Sequence, residues 1–298
     1  MRSGLVALAG RPNVGKSTLL NALLGRKLAI MSDKPQTTRS VVRGVLRREA
    51  GQAVLVDTPG LHKPQTLLGE RLNSLVRGTL AEVDLVCQLV DAAAGVGRGD
   101  RFLAEELARV GTPAICVVNK LDAVSRPKLA EALQAAGELG EWAEVVPVSA
   151  RSGEQLDLLV ELIFAHLPEG PPLYPEGEPD PGEVPEQRFV AEVIREKALA
   201  LVHDELPHSV AVVVEEIVPG EQASPDNPVL VVRADLYVER PSQKPILIGR
   251  QGAVLREIGS RARAELEPLL GARVFLDLHV RVAREWQRDP KLLARLGF

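Results

Sequence analysis

The chain has 298 residues, 45% hydrophobic and 26% charged, with a formal net charge of −4. That is length enough for two domains with separate cores, and the composition of a chain that folds. The acidic balance argues against a uniformly basic nucleic-acid binder but leaves room for a local basic face. No run reaches the roughly 18 apolar residues of a membrane-spanning helix. Leu5 to Ala9 is too short for a secretory leader and runs straight into a glycine loop. Cys87 and Cys116 lie in apolar, strand-like runs and read as buried thiols of a reducing compartment.

Leu5 to Ala9 reads as a buried strand and Lys16 to Leu24 as a helix. Between them, Gly10-Arg11-Pro12-Asn13-Val14-Gly15-Lys16-Ser17 matches G-x-x-x-x-G-K-S/T in its proper strand-to-helix context. Polyphosphate is a dense anion, and backbone N–H groups at a helix N-terminus can surround it. Gly10 and Gly15 permit the turn and the close approach. Lys16 is expected to reach the β- and γ-phosphates and Ser17 to ligate Mg²⁺, with Asn13, Val14 and Thr18 completing the nucleotide cradle.

Pro35-Gln36-Thr37-Thr38-Arg39 is polar and loop-like, and one threonine in it should cap Mg²⁺ and the γ-phosphate: Thr38, with Thr37 the alternative. Ala53 to Val56 reads as a strand, and Asp57-Thr58-Pro59-Gly60 at its end matches D-x-x-G. Asp57 would hold Mg²⁺ through water, and the Gly60 amide would face the γ-phosphate. Lys16, Thr38, Asp57 and Gly60 are therefore the catalytic candidates, and Ser17, Thr38 and Asp57 the metal ligands. The residue after Gly60 is Leu61, which cannot orient a water as a glutamine would, so slow intrinsic hydrolysis raised by a partner is expected.

Leu85 to Val90, Ala114 to Val118 and Val145 to Val148 read as further buried strands, with helical patterns at Arg101 to Val110 and Leu156 to His166. This alternation predicts an α/β P-loop domain with a mostly parallel sheet and helices on both faces. Asn119-Lys120-Leu121-Asp122 follows one of these strands. Guanine presents two adjacent donors that a carboxylate such as Asp122 accepts together, whereas adenine would leave it unpaired. Lys120 would lie along the base, Asn119 would tie this loop to the phosphate loop, and Ser149-Ala150 would support the guanine oxygen. The expected ligands are GTP and GDP with Mg²⁺.

Residues 168–186 contain seven prolines and almost no periodicity, and read as a semi-rigid linker between a domain of residues 1–167 and one of 187–298. The second part reads as helix (Phe189 to Leu206), strands (Val210 to Val218 and Val229 to Val238, joined by the loop Pro219 to Pro228), helix (Gly252 to Leu270) and strand (Ala272 to Val282), an α+β domain. Gly249-Arg250-Gln251-Gly252 is a G-x-x-G loop, the KH signature for single-stranded RNA, although such a loop also serves as a plain helix start. The α-β-β-α-β order suits a type II KH domain. Lys244, Ile248, Gly249, Arg250, Gln251, Gly252 and Arg256 are the candidate RNA contacts, in a basic stretch of an acidic chain. Arg281, Arg284, Arg288 and Arg295 read as a solvated face that could extend it. His203, His208 and His279 show no metal spacing.

Nearly end to end, G-x-P-N-V-G-K-S, Gln-Thr-Thr-Arg, Asp-Thr-Pro-Gly and Asn-Lys-Leu-Asp followed by one KH domain resembles the Era family. The resemblance implies a bacterial or organellar GTPase that binds the 3′ end of small-subunit ribosomal RNA and assists 30S assembly. It implies a cytoplasmic protein, and for some members a peripheral membrane contact that nothing in this sequence predicts. A monomer is expected. Asn13 resembles the asparagine that holds K⁺ in potassium-stimulated GTPases, and equally suits a turn. The competing expectation is a signalling GTPase with a protein effector.

Overall fold

The computed structural model describes residues 1–32, 34, 37–61, 64, 66–175, 186–202, 206–220 and 228–296. Pro35 and Gln36 of the polar loop, most of the segment 176–186, most of the loop Pro219 to Pro228, His203 and the side chain of His208 lie outside them. The described residues fall into two compact units, one built almost wholly from residues up to 175 and one from residues 186 onward.

In chain order the first unit runs β1 (Arg2–Gly10), α1 (Lys16–Leu24), β2 (Val42–Arg48), β3 (Gly51–Asp57), α2 (Leu67–Glu82), β4 (Leu85–Asp91), α3 (Arg98–Val110), β5 (Ala114–Asn119), α4 (Arg126–Gly137), β6 (Glu144–Pro147) and α5 (Leu156–His166). The sheet order is β2-β3-β1-β4-β5-β6. All neighbours are parallel except β2, which pairs antiparallel with β3. The central strands are apolar on both faces and therefore need helices on both. Leu8, Leu55 and Leu89 meet Leu19, Leu20, Ile163 and Phe164 of α1 and α5 on one side. Ala7, Ala9 and Val86 meet Val76, Leu80, Leu103 and Leu107 of α2 and α3 on the other. Cys116 and Val118 pack with Ala132 and Ala136 of α4, and both cysteines are free and buried.

In this unit three elements go beyond the sequence expectation. β2 is an edge strand whose buried residues are confined to Gly44, Val45 and Leu46, too few for a clear apolar run. In α2 the buried residues Leu68, Leu72, Val76 and Leu80 recur every fourth position, a helical stripe that polar neighbours disguise. α4 buries only two alanines, so its pattern is weak. Over 168–174 the proline-rich segment, read as a semi-rigid linker, is bonded to the first unit. Ser3 N–H donates to the Pro168 carbonyl (3.0 Å), and the Gln52 amide both donates to and accepts from the Tyr174 backbone (2.6 and 2.9 Å). A side-chain amide near the start of β3 thus satisfies the backbone of a stretch that lies outside the strand ladders.

The second unit runs α6 (Glu186–Leu201), α7 (Leu206–Ser209), β7 (Ala211–Pro219), β8 (Val229–Val238), α8 (Gln243–Ile248), α9 (Ala253–Leu270), β9 (Arg273–Val282) and α10 (Pro290–Arg295). β7 and β8 are antiparallel, β8 and β9 parallel. Val190, Ile194 and Ala198 of α6 and Ile258, Ala262 and Leu266 of α9 cover Val232, Ala234 and Leu236 of the sheet. Trp286 is fully buried, its indole N–H donating to the Ser209 carbonyl (3.0 Å). Because the two cores are separate, Leu20→Ala and Ile194→Ala are each expected to destabilise their own unit by about 2–5 kcal/mol. Hydrogen exchange resolved by segment checks this: protection should fall in the unit that carries the substitution and persist in the other.

Candidate functional site

The loops after β1, β3 and β5 meet at the carboxyl edge of the sheet, where open α/β sheets bind their ligands. They enclose a cavity of about 620 Å³ whose lining includes Asn13, Gly15, Lys16, Ser17, Thr18, Thr37, Thr38, Gly60 and Lys120. Ile30, Met31, Ser32 and Arg151 also line it, and no sequence motif had marked them. Asn13 adopts a left-handed turn (φ 65) that asparagine suits.

Lys16 is 6% exposed and donates to the Gly10 and Arg11 carbonyls (3.0 and 2.9 Å). Burial pushes its ammonium down to about 8, against the pull of the Asp57 and Asp100 carboxylates. Asp57 is fully buried, and burial pushes its carboxyl up, opposed by the Lys16 charge and by donors from Ser17 and Thr38. Ser17 Oγ lies 2.7 Å and Thr38 Oγ1 3.2 Å from Asp57 Oδ2, and the two hydroxyls are 3.0 Å apart. Asp57 Oδ1 is buried without a hydrogen-bond partner among the described residues. Three hard oxygens beside an unsatisfied carboxylate oxygen fit Mg²⁺. Thr37 turns elsewhere, its hydroxyl donating to the Lys34 carbonyl (2.7 Å), so Thr38 is the threonine in this cluster.

The base-side loop is laced to the phosphate loop. Asn119 Nδ2 donates to the Val14 carbonyl (2.8 Å), and a Cβ on Gly15 would sit 2.3 Å from that nitrogen, which is why glycine stands there at φ 101. Lys120 Nζ donates to the Asn13 carbonyl (2.7 Å) and to Asp91 Oδ2 (2.6 Å). Asp122 is held by the Ser149 hydroxyl (2.6 Å). The amides of Ser149 and Ala150 donate to Glu154 O and Asn119 Oδ1, so in this structure they brace the loop and Arg151 is its cavity-lining residue.

In the second unit, Gly249, Gln251 and Gly252 all have positive φ (74, 50 and 78) and form the loop that turns α8 into α9. Lys244, Arg250, Gln251 and Arg256 are exposed around it and Ile248 is half-buried. Ile246, 57% exposed, is an apolar contact surface beside them. A Cβ on Gly249 would lie 2.5 Å from Val254, whereas one on Gly252 would meet open space.

The sequence matches the family model described as 50S ribosome-binding GTPase over residues 5–120 and that of the KH domain over 205–287. It is 56% identical over 303 residues to GTPase Era of Streptomyces coelicolor, covering all of this chain and 95% of that one. GTPase Era of a Nocardioides species is 55% identical, with 100% and 96% covered. The chain belongs to the Era GTPase family. Two solved Era structures superpose over all of it: an Aquifex aeolicus variant bound to GDP and AlF₄⁻ (39% identity, TM-score 0.93) and an Era in complex with MgGDPNP and nucleotides 1506–1542 of 16S ribosomal RNA (40%, TM-score 0.92). This chain covers 99% of each. As an Era-family member it is a GTP-binding and GTP-hydrolysing enzyme.

Leu61 follows Gly60 but points away from the cavity. It is 4% exposed and packs with Ala7, Ala9, Val76 and Leu103 beneath α2 and α3. Leu61→Gln is therefore expected to bury an unpaired amide at about 1–3 kcal/mol without raising turnover. Chemical unfolding and phosphate release check both halves; a tenfold rate gain would mean that residue 61 reaches the cavity after all. Lys16 sets a second expectation. Its folded affinity for the proton is below the unfolded value, so the empty protein gains stability as pH rises from about 8 towards 10.5. An anion in the cavity restores the proton, so GDP affinity should fall about fourfold between about pH 7 and pH 8.5 at fixed Mg²⁺, as calorimetric titration would show.

Proposed function

We propose that the cavity residues act as the motifs foretell, and that the KH loop couples the switch to small-subunit ribosomal RNA. Lys16 supplies fixed positive charge to the β- and γ-phosphates, out of water, where it is worth most. Mg²⁺, when bound, neutralises phosphate charge; Ser17 and Thr38 offer it their hydroxyls, and Asp57 orients both. Asp122, steadied by Ser149, accepts the two guanine donors. Thr38 and the Gly60 amide sense the γ-phosphate, and its loss releases both segments. Leu61, directly after Gly60, is buried in the core and cannot orient the attacking water, so hydrolysis awaits the ordering that a partner provides.

The observation that carries the RNA half is the exposed loop 249–252, with Lys244, Arg250 and Arg256 around it, in a chain aligned end to end with an Era that binds the 3′ region of 16S RNA. Glycines let a sugar–phosphate backbone approach, and the cations meet its charge. The chain then works in the cytoplasm as a 30S assembly factor. Gly252→Asp is the better test: a Cβ there meets no neighbour, and the left-handed φ of 78 costs an aspartate about 1–2 kcal/mol, whereas a substitution at Gly249 would also strike Val254. With a non-hydrolysable GTP analogue bound, the wild type should bind the 3′ tail of small-subunit RNA at least tenfold more tightly than a scrambled RNA. Gly252→Asp should abolish that preference and leave GDP affinity intact. Equal binding to both RNAs would favour a protein effector instead.

A further inference from the structure

The geometry points to Asp100, in the first turn of α3, as a positioning residue for the phosphate loop, acting through Arg11. None of the nucleotide motifs includes Asp100, yet its carboxylate is 0% exposed, and a buried carboxylate needs a partner. Asp100 Oδ2 accepts the Gly97 N–H (2.7 Å) and lies 2.7 Å from Arg11 Nε, an ion-pair contact set off the line of a hydrogen bond. Arg11 Nη2 donates to the Gly95 carbonyl (2.7 Å). The guanidinium of the loop's second residue is thus gripped by the segment that joins β4 to α3.

Two glycines, Gly97 just before α3 and Gly99 in its first turn, make room for it. A Cβ on Gly97 would lie 2.9 Å from Arg11 Nη1, and one on Gly99 would lie 2.8 Å from Arg11 Cγ. Neither glycine has the positive φ that would demand glycine for the backbone's sake. Gly99 even sits inside α3, where glycine is a poor helix former, so what these positions provide is a trough for the arginine. Gln88, fully buried on β4, donates to the Asp100 carbonyl (3.0 Å) and fixes the trough to the sheet.

The consequence reaches the phosphate site through the backbone. The Arg11 carbonyl is one of the two acceptors that hold Lys16 Nζ (2.9 Å), so fixing the Arg11 side chain fixes where the lysine is presented. Just before that segment, the last residue of β4, Asp91, grips Lys120 and through it the Asn13 carbonyl. Asp91 at the end of β4 and Asp100 in the first turn of α3 thus tether the phosphate loop on either side of Pro12. A loop held open before the nucleotide arrives loses less freedom on binding it.

The inference rests on residues 10–17 being the nucleotide site. The test compares wild type, Arg11→Ala, Asp100→Asn and the double variant of the full chain, by GDP and GTP titration, steady-state kinetics and thermal unfolding. Each single variant should weaken GDP about tenfold, and the double should be no weaker than the worse single, because both remove one link. KM should rise by more than kcat falls. If Arg11→Ala does not fold, Arg11→Lys, which keeps the charge but cannot span Asp100 and Gly95, should show an intermediate loss. Additive losses, or GDP affinity within twofold of wild type in folded variants, would overturn the role of the pair. Failure of the wild type itself to bind GDP would instead overturn the nucleotide site.

Discussion

A charged lysine held out of water at the end of a parallel sheet is the constraint on which the first unit depends. Burying Lys16 is costly unless carboxylates and carbonyls surround it, and the surroundings come from its own loop and from far along the chain: Gly10 and Arg11 before it, Asp57 at the end of β3 and Asp100 in α3. Only a sheet with β1 between β3 and β4 brings those groups to one point. The same cost makes the site useful, since the partner that best compensates a buried ammonium is the polyanion the loop is shaped to hold. Asp57 shows the mirror case, a buried carboxylate held by the Lys16 charge and by two hydroxyls on one oxygen.

The second unit solves a different problem with backbone rather than charge. Three positive-φ residues in four turn α8 sharply into α9 and lay an exposed, glycine-rich loop among cations. Its rigidity comes from below, from the apolar seam of α6, α9 and the three-stranded sheet. The loop contributes little to that core, so its residues are available for recognition.

Much of this was legible in the sequence because the motifs encode local chemistry. A phosphate loop must lie between strand and helix, and a guanine-reading loop must follow a strand, so Gly10–Ser17 and Asn119–Asp122 announced the sheet beneath them and the edge at which they meet. The elements that escaped were those whose signal is tertiary. β2 is half-buried only because β3 lies beside it, and α4 is held by two alanines. The proline-rich stretch 168–174 read as semi-rigid linker, and nothing local showed that Gln52 and Ser3 would bond its backbone. Leu61 carried no sign of its orientation, because a leucine beside D-x-x-G reads alike whether it faces a ligand or the α2–α3 core.

The sequence by itself determined the family, the two fold classes, the ligand class and most of the residues around it, since these follow from which groups can bond a phosphate, a metal or a guanine. Tertiary structure alone decided which of two threonines joins Ser17 and Asp57, where Leu61 points, and that Arg11 and Asp100 meet across 89 residues of chain. Those are questions of distance between segments far apart in the chain. They are settled by how strands order and helices pack, which no local pattern records.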